Sequence, residues 1–256
     1  MKNKKLKAFT LVELIIVMLI FTIIMGAIVR MFEPISSVYS NSSVQANQRS
    51  AEQGIATYIT ENIRNCQSIG VYQKQASADA AMTAFLANNP TDLAGNPLTK
   101  NDLEIICINN TGTYTVDGTP ASTGQKTFKG RILRKKVGQS NFTESQPFNY
   151  SGSGSAYMAM GDAYYGPGDY YIRIENFSSA GLEVVVDSDY YYNEGKTKML
   201  NRADNYDNYT RAAVVFNNTN ISSDSVARVV DDTQIDATVG SRMNQTKNTY
   251  IVFYNG

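Results

Sequence analysis

The sequence predicts an α+β protein. It has a long N-terminal helix, apolar in its first half and amphipathic in its second, packed on an antiparallel β-sheet head. A second sheet or subdomain is expected around 140–256. Three observations carry this. Residues 9–29 read FTLVELIIVMLIFTIIMGAIV, with a single charge at Glu13. Ile55, Ile59, Ile63, Cys66 and Ile69 then recur at steps of four, four, three and three, the spacing of a helix face. Beyond residue 100, short runs rich in β-branched and aromatic residues alternate with turn residues, the pattern of strands.

The apolar run comes first. As a helix rising about 1.5 Å per residue it would span roughly 31 Å, the thickness of a bilayer core. Residues 1–8 (MKNKKLKA) place Lys2, Lys4, Lys5 and Lys7 before it with no acid. Basic residues stay on the cytoplasmic side, so the N-terminus is expected inside and the rest exported. A secretory signal peptide fits poorly: the run is long, and residues 26–34 (GAIVRMFEP) offer no A-x-A-like site. A plain membrane anchor leaves Glu13 unexplained. An acid at the centre of a span costs on the order of 2.5–3.5 kcal/mol, so it should have a function and a partner.

The stretch Lys7-Ala8-Phe9-Thr10-Leu11-Val12-Glu13-Leu14 resembles the prepilin signal of type IV pilins and pseudopilins. In that family a peptidase on the cytoplasmic side cuts just before the apolar helix, and the new N-terminus is methylated. The resemblance implies cleavage between Ala8 and Phe9, methylation of Phe9, and a helix that first anchors the chain and later forms a filament core. Glu13 falls where the family keeps its acid. The family usually has Gly before the cut. Ala8 stands there here, and being the next smallest residue it implies slower cleavage rather than none. The motif covers only the first thirty residues or so.

A buried charge is tolerable only if paired. Cleavage would create an α-amine on Phe9, one turn from Glu13 on the same helix. In a stack of axially offset subunits, the amine of one chain can meet Glu13 of its neighbour and fix the stagger, the best-attested use of a buried ion pair.

Helix is expected to continue past Val29, with Gly26 and Pro34 as points where it could kink. The stripe ending at Ile69 would lie against a sheet. Residues 76–88 (ASADAAMTAFLAN) predict a short helix, with Met82, Phe85 and Leu86 at helical spacing, ended by Asn88-Asn89-Pro90. Strands are expected at 103–108, 130–137, 155–160, 170–176, 182–187, 211–216, 226–230 and 248–254. The segments 138–154 and 193–210 read as long polar loops. The expected division is a leader at 1–8, a transmembrane and filament-core helix at 9–29, an amphipathic helix at 30–70 and a β-rich head at 71–256.

The head offers little catalytic chemistry. The chain has no His, which excludes a Ser-His-Asp triad, a Cys-His pair and a His-ligated zinc site. Acid pairs at Asp187/Asp189, Asp204/Asp207 and Asp231/Asp232 form no calcium-loop motif, and a solvated turn is favoured over a calcium site at 204–208. No enzyme, cofactor or metal is expected. Cys66 and Cys107 both sit at core-facing positions, and export would permit a disulfide tying helix to sheet; two buried thiols are the alternative. A tyrosine cluster (Tyr157, Tyr164, Tyr165, Tyr170, Tyr171, Tyr190, Tyr191, Tyr192) reads mainly as sheet packing. The loop Gly161–Asp169 (GDAYYGPGD) is the best candidate for an exposed aromatic tip, and its deletion is expected to spare folding. Asn-x-Ser/Thr triplets such as Asn141-Phe142-Thr143 imply no glycosylation, since a prepilin-type leader implies a prokaryote.

Lys plus Arg and Asp plus Glu both count 23, for zero formal charge. Loss of the four leader lysines would leave 19 basic against 23 acidic residues, a net of −4. That argues against nucleic acid as a partner, although Arg131, Arg134, Lys135 and Lys136 could form a local basic patch. The resemblance to type IV pilins implies a structural pilin subunit, and a minor rather than a major one. Its expected partners are other pilin subunits, a prepilin peptidase and methylase, a pilus assembly platform and the cell membrane. A large, irregular head suits a sparse or tip position better than a dense shaft. Two alternatives remain: a pseudopilin of a secretion or DNA-uptake machine, and a membrane-anchored surface binding protein that does not polymerise.

Overall fold

A computed structural model describes residues 10–73, 75–92, 94–110, 114–115, 125–126, 129–139, 157–158, 160, 162–166, 168–178, 180–191, 199–201, 210–217 and 248–256. The expected strand at 226–230 lies outside them, as do Asn141 and the acid pairs at 204/207 and 231/232. The chain forms two compact units, residues 1–46 and 47–256.

Helix α1 spans Leu11–Ile63 and passes through both Gly26 and Pro34. In the first unit its described side chains are exposed, except the half-buried Val44. In the second unit Ala51, Ile55, Ala56, Ile59 and Ile63 are buried. The stripe does not stay helical to Ile69. The helix ends at Ile63, Cys66 lies in the following turn, and strand β1 covers Ser68–Tyr72. Pairing with the C-terminal strand overrides the helical spacing: Gln67 N–H donates to the Tyr254 carbonyl at 2.7 Å, which opens the ladder. Ile69, Val71 and Tyr72 also have strand-favouring side chains. The helical portion of the expected 30–70 segment is thus shorter.

Helix α2 (Ala78–Leu86) begins where Ser77 Oγ accepts from the Ala80 amide, a side-chain cap for a free helix N–H. Past its end Asn89 takes a left-handed φ of 51°, which Asn tolerates better than most residues, directly before Pro90. The remaining elements are β2 (Glu104–Asn109), β3 (Tyr114–Thr115), β4 (Gln125–Lys126), β5 (Arg131–Lys135), β6 (Tyr157–Met158), α3 (Asp162–Tyr165), β7 (Gly168–Ser178), β8 (Gly181–Tyr191), β9 (Met199–Asn201), β10 (Thr210–Val215) and β11 (Thr249–Tyr254). The expected strands at 103–108, 130–137, 155–160, 170–176, 182–187, 211–216 and 248–254 each correspond to one of these.

The first sheet has the order β1-β11-β2-β5-β6, antiparallel throughout. The C-terminal strand therefore lies between β1 and β2. The second sheet has the order β10-β8-β7, with β9 also paired to β8. The architecture is α+β with two main antiparallel sheets. One apolar cluster joins the buried face of α1, the inner residues of α2 and side chains from both sheets.

Polar contacts fix how α1 meets each sheet within the second unit. At its near end, Gln48 and Glu52 bond to Ser188 of β8, and Glu52 also to Thr210 of β10. Further along, Tyr58 and Asn62 accept from the guanidinium of Arg134 on β5. The two sheets are themselves joined at Gly130, which has φ +74°. A Cβ there would lie 2.2 Å from the Tyr170 carbonyl oxygen, where Tyr170 N–H donates to Lys129. Gly130→Ala should therefore destabilise the head by roughly 1–3 kcal/mol, read as a lower denaturant midpoint at unchanged slope.

Candidate functional site

Helix α1 starts in a capping box. The Glu13 amide donates to Thr10 Oγ1 at 3.3 Å, while the Thr10 amide donates to Glu13 Oε2 at 2.9 Å. Thr10 Oγ1–H also donates to Glu13 Oε2, again at 2.9 Å. An acid in the first turn complements the partial positive charge of the helix end. The single acid of the apolar run is therefore held at its N-terminal tip, bonded to the amide that joins Thr10 to Phe9. Ala8 and Phe9 themselves lie outside the described residues.

A candidate membrane span covers Leu11–Ser36, with a mean hydropathy of 2.8 in its most apolar window and nothing in that window buried among the described residues. Leu14, Met18 and Phe21 are all more than half exposed. A soluble helix would show one apolar stripe facing a core. This one is apolar around its circumference, as a membrane-spanning helix must be.

The other sequence candidates fall elsewhere. Cys66 and Cys107 are buried thiols not joined to each other. The register explains why. Ser68 lies level with Leu103, so β1 and β2 run parallel on either side of β11 with Cys107 four residues along. Strand spacings then put Ser68 and Cys107 roughly 16 Å apart, with Cys66 further back. A bridge needs Cα atoms within about 7 Å. Burial also pushes the Cys66 thiol up to about 12, so little of it is the reactive thiolate.

The basic patch does not form. Arg131 and Lys135 are buried, and Lys135 Nζ donates to the carbonyls of Lys100 and Leu103 at 3.0 and 3.3 Å. Arg134 Nη2 pairs with Glu104 Oε2 at 2.5 Å.

The loop 161–169 is an exposed tip only in part: among its described residues Tyr164 is exposed, whereas Tyr165, Gly168 and Asp169 are buried. Short helix α3 turns Tyr165 fully into the core, where its hydroxyl accepts from the Ile132 amide at 3.0 Å. The Arg131 guanidinium stacks 4.4 Å from the Tyr165 ring centre and donates to the carbonyls of Gly166 and Gly168. Tyr170 is buried too, its hydroxyl donating to the Tyr165 carbonyl at 2.7 Å. Tyr164 is partly exposed and donates to the Ser50 carbonyl of α1. The charge of Arg131, read from sequence as a mark of exposure, is instead met by carbonyl groups and two aromatic faces. The nearby acids are similarly engaged: Asp187 pairs with Arg173 at 3.6 Å and Asp189 accepts from the Tyr171 hydroxyl at 2.9 Å.

Residues 3–29 match the family model described as a prokaryotic N-terminal methylation motif. The segment is thus of the prepilin type, the type that type IV pilins carry. No curated protein matches the chain. Among solved structures it is similar to the PilB minor pilin from Streptococcus sanguinis, with 12% identity and a TM-score of 0.33, over 84% of this chain and 34% of that one. The chain spans about a third of that protein's length.

Deletion of 161–169 should abolish folding of the head rather than spare it. Tyr165→Ala should cost about 3–5 kcal/mol, the range for losing a buried aromatic ring, and thermal unfolding of both variants reads the effect.

Proposed function

We propose that the chain is a structural subunit, a minor pilin, of a type IV pilus-like filament. It enters the cell membrane as a single pass with its N-terminus in the cytoplasm. It is cut between Ala8 and Phe9, methylated on Phe9, and drawn by an assembly platform into an extracellular filament of pilin subunits through residues 9–29. Residues 1–8 are then the leader, and the β-rich part beyond residue 70 is the displayed head.

The observation that carries this reading is a coincidence in sequence. The methylation motif at 3–29 overlaps a candidate membrane span, Leu11–Ser36, whose most apolar window is not buried among the described residues. Apolar surface of that length needs a bilayer before assembly and neighbouring helices after it. Glu13 supplies the polar element. Its capping contacts hold the carboxylate at the end of the helix, next to the residue whose amine cleavage would release. The intramolecular bonds from Thr10 satisfy the carboxylate only in part, and a neighbour's ammonium would add a charge-assisted bond in a medium without water.

Glu13→Val should insert in the membrane as the native chain does, since it removes a charge from an apolar span. It should then reach sheared filaments at no more than about a tenth of the native level, the factor carried by ~1.4 kcal/mol. Immunoblots of membrane and filament fractions measure both quantities. Native incorporation of the variant would contradict the pairing.

A further inference from the structure

Glu52 belongs to the face of α1 that packs into the head. Gln48, Glu52, Ile55, Ile59 and Ile63 follow one another at helical steps, and all five are buried. Two of the five are polar, and both point at the second sheet. Glu52 Oε1 accepts from Ser188 Oγ at 2.7 Å and from Gln48 Nε2 at 3.5 Å. Its Oε2 accepts from Thr210 Oγ1 at 3.0 Å. Gln48 Nε2 also donates to Ser188 Oγ at 2.6 Å. One carboxyl thus ties the helix to two strands of one sheet, and all its partners are neutral.

We propose that Glu52 is a pH-sensitive clasp: with its carboxyl neutral it closes the second sheet onto α1, and its ionisation loosens that sheet and leaves the first sheet in place.

The surrounding charges support this. On β8 Asp187 and Asp189 flank Ser188, both on the opposite face of the sheet, and Asp189 accepts from the Tyr171 hydroxyl; of the two, Asp187 acts on Glu52. It opposes a second negative charge at Glu52, although Arg173 of β7 partly offsets it. On β7 the inward group is the Tyr170 phenol, which is buried, neutral and bonded to the Tyr165 carbonyl. On β10 the neighbour of Thr210 is Arg211, which is engaged with Glu175 and Glu183. Burial raises the Glu52 carboxyl above its ordinary range, and the bonds from Ser188 and Thr210 offset only part of that.

The hydroxyls suit both protonation states. Neutral Glu52 can donate its O–H to Thr210 Oγ1, because a hydroxyl both gives and accepts. Ionised Glu52 keeps three donors but holds a full charge at a buried position. The sign follows. Below the unfolded carboxyl's ordinary value both states are neutral and nothing is lost. As pH rises from there through the raised folded value, the unfolded chain ionises freely and the folded one does so at a cost, so the clasp weakens towards alkaline pH. The first sheet is held to α1 by Tyr58, Asn62 and the Arg134–Glu104 pair, in which Glu104 has a cationic partner. It should not follow the same titration.

The full chain in detergent micelles provides the test. Carboxyl carbon NMR should show Glu52 titrating above the ordinary glutamate value, and further above it in Thr210→Val. Amide protection factors, which remove the intrinsic pH dependence of exchange, should fall several-fold in β8 and β10 between pH 5 and pH 8. In Glu52→Gln that fall should vanish, with β2, β5 and β11 unchanged in both proteins. A midpoint at or below the ordinary value would overturn the proposal whether or not the variants fold. Equal loss of protection in both sheets, or the same profile in Glu52→Gln, would overturn it as well.

Discussion

The apolar side chains of helix α1 before residue 30 are not buried by any of the described residues, and this constraint governs how the molecule can exist. In water such a surface would drive aggregation. It is stable only in a medium of its own kind, which a bilayer provides and a bundle of identical helices can also provide. The same helix meets an opposite requirement beyond residue 47, where one face must fit a packed core and the other faces outward. The chain meets both with composition alone. The first stretch is apolar on all sides, and the second is apolar on one stripe only.

Buried polar groups then separate the two parts of the protein. In the head each one described above has its partner inside the chain. Arg131 lies among carbonyls and tyrosine rings, Lys135 on two carbonyls, Arg134 against Glu104, and Glu52 among hydroxyls and an amide. Such networks cost little when complete and much when broken. Glu13 differs. Among the described residues its partners all come from Thr10, three residues away, and the carboxylate can accept further bonds.

The legible parts of the fold were those set by local chemistry. The apolar run, the capped helix at 78–86 and most strand positions followed from periodicity and turn residues. Partner choice was not legible. Nothing near residue 250 says that the last strand will insert between β1 and β2, yet that pairing turned Ile69 from a helix residue into a strand residue. Spacings of three residues suit a helix, and a strand two residues later can begin on the same apolar positions. Arg131 and Lys135 were misread because charge signals exposure only when no buried carbonyls wait to receive it, and those carbonyls belong to distant segments. The sequence does carry one signal of a buried acid: Gln48 and Glu52 extend the isoleucine stripe back by two helical steps, which places an acid on the buried face.

In the proposed maturation the chain loses its basic leader and then assembles through what remains. Edman degradation and intact mass of protein purified from cells measure this most directly. The expected mature chain begins with N-methylated Phe9 and lacks residues 1–8. A mature chain that retains Met1–Ala8, in cells with an active prepilin peptidase, would contradict it.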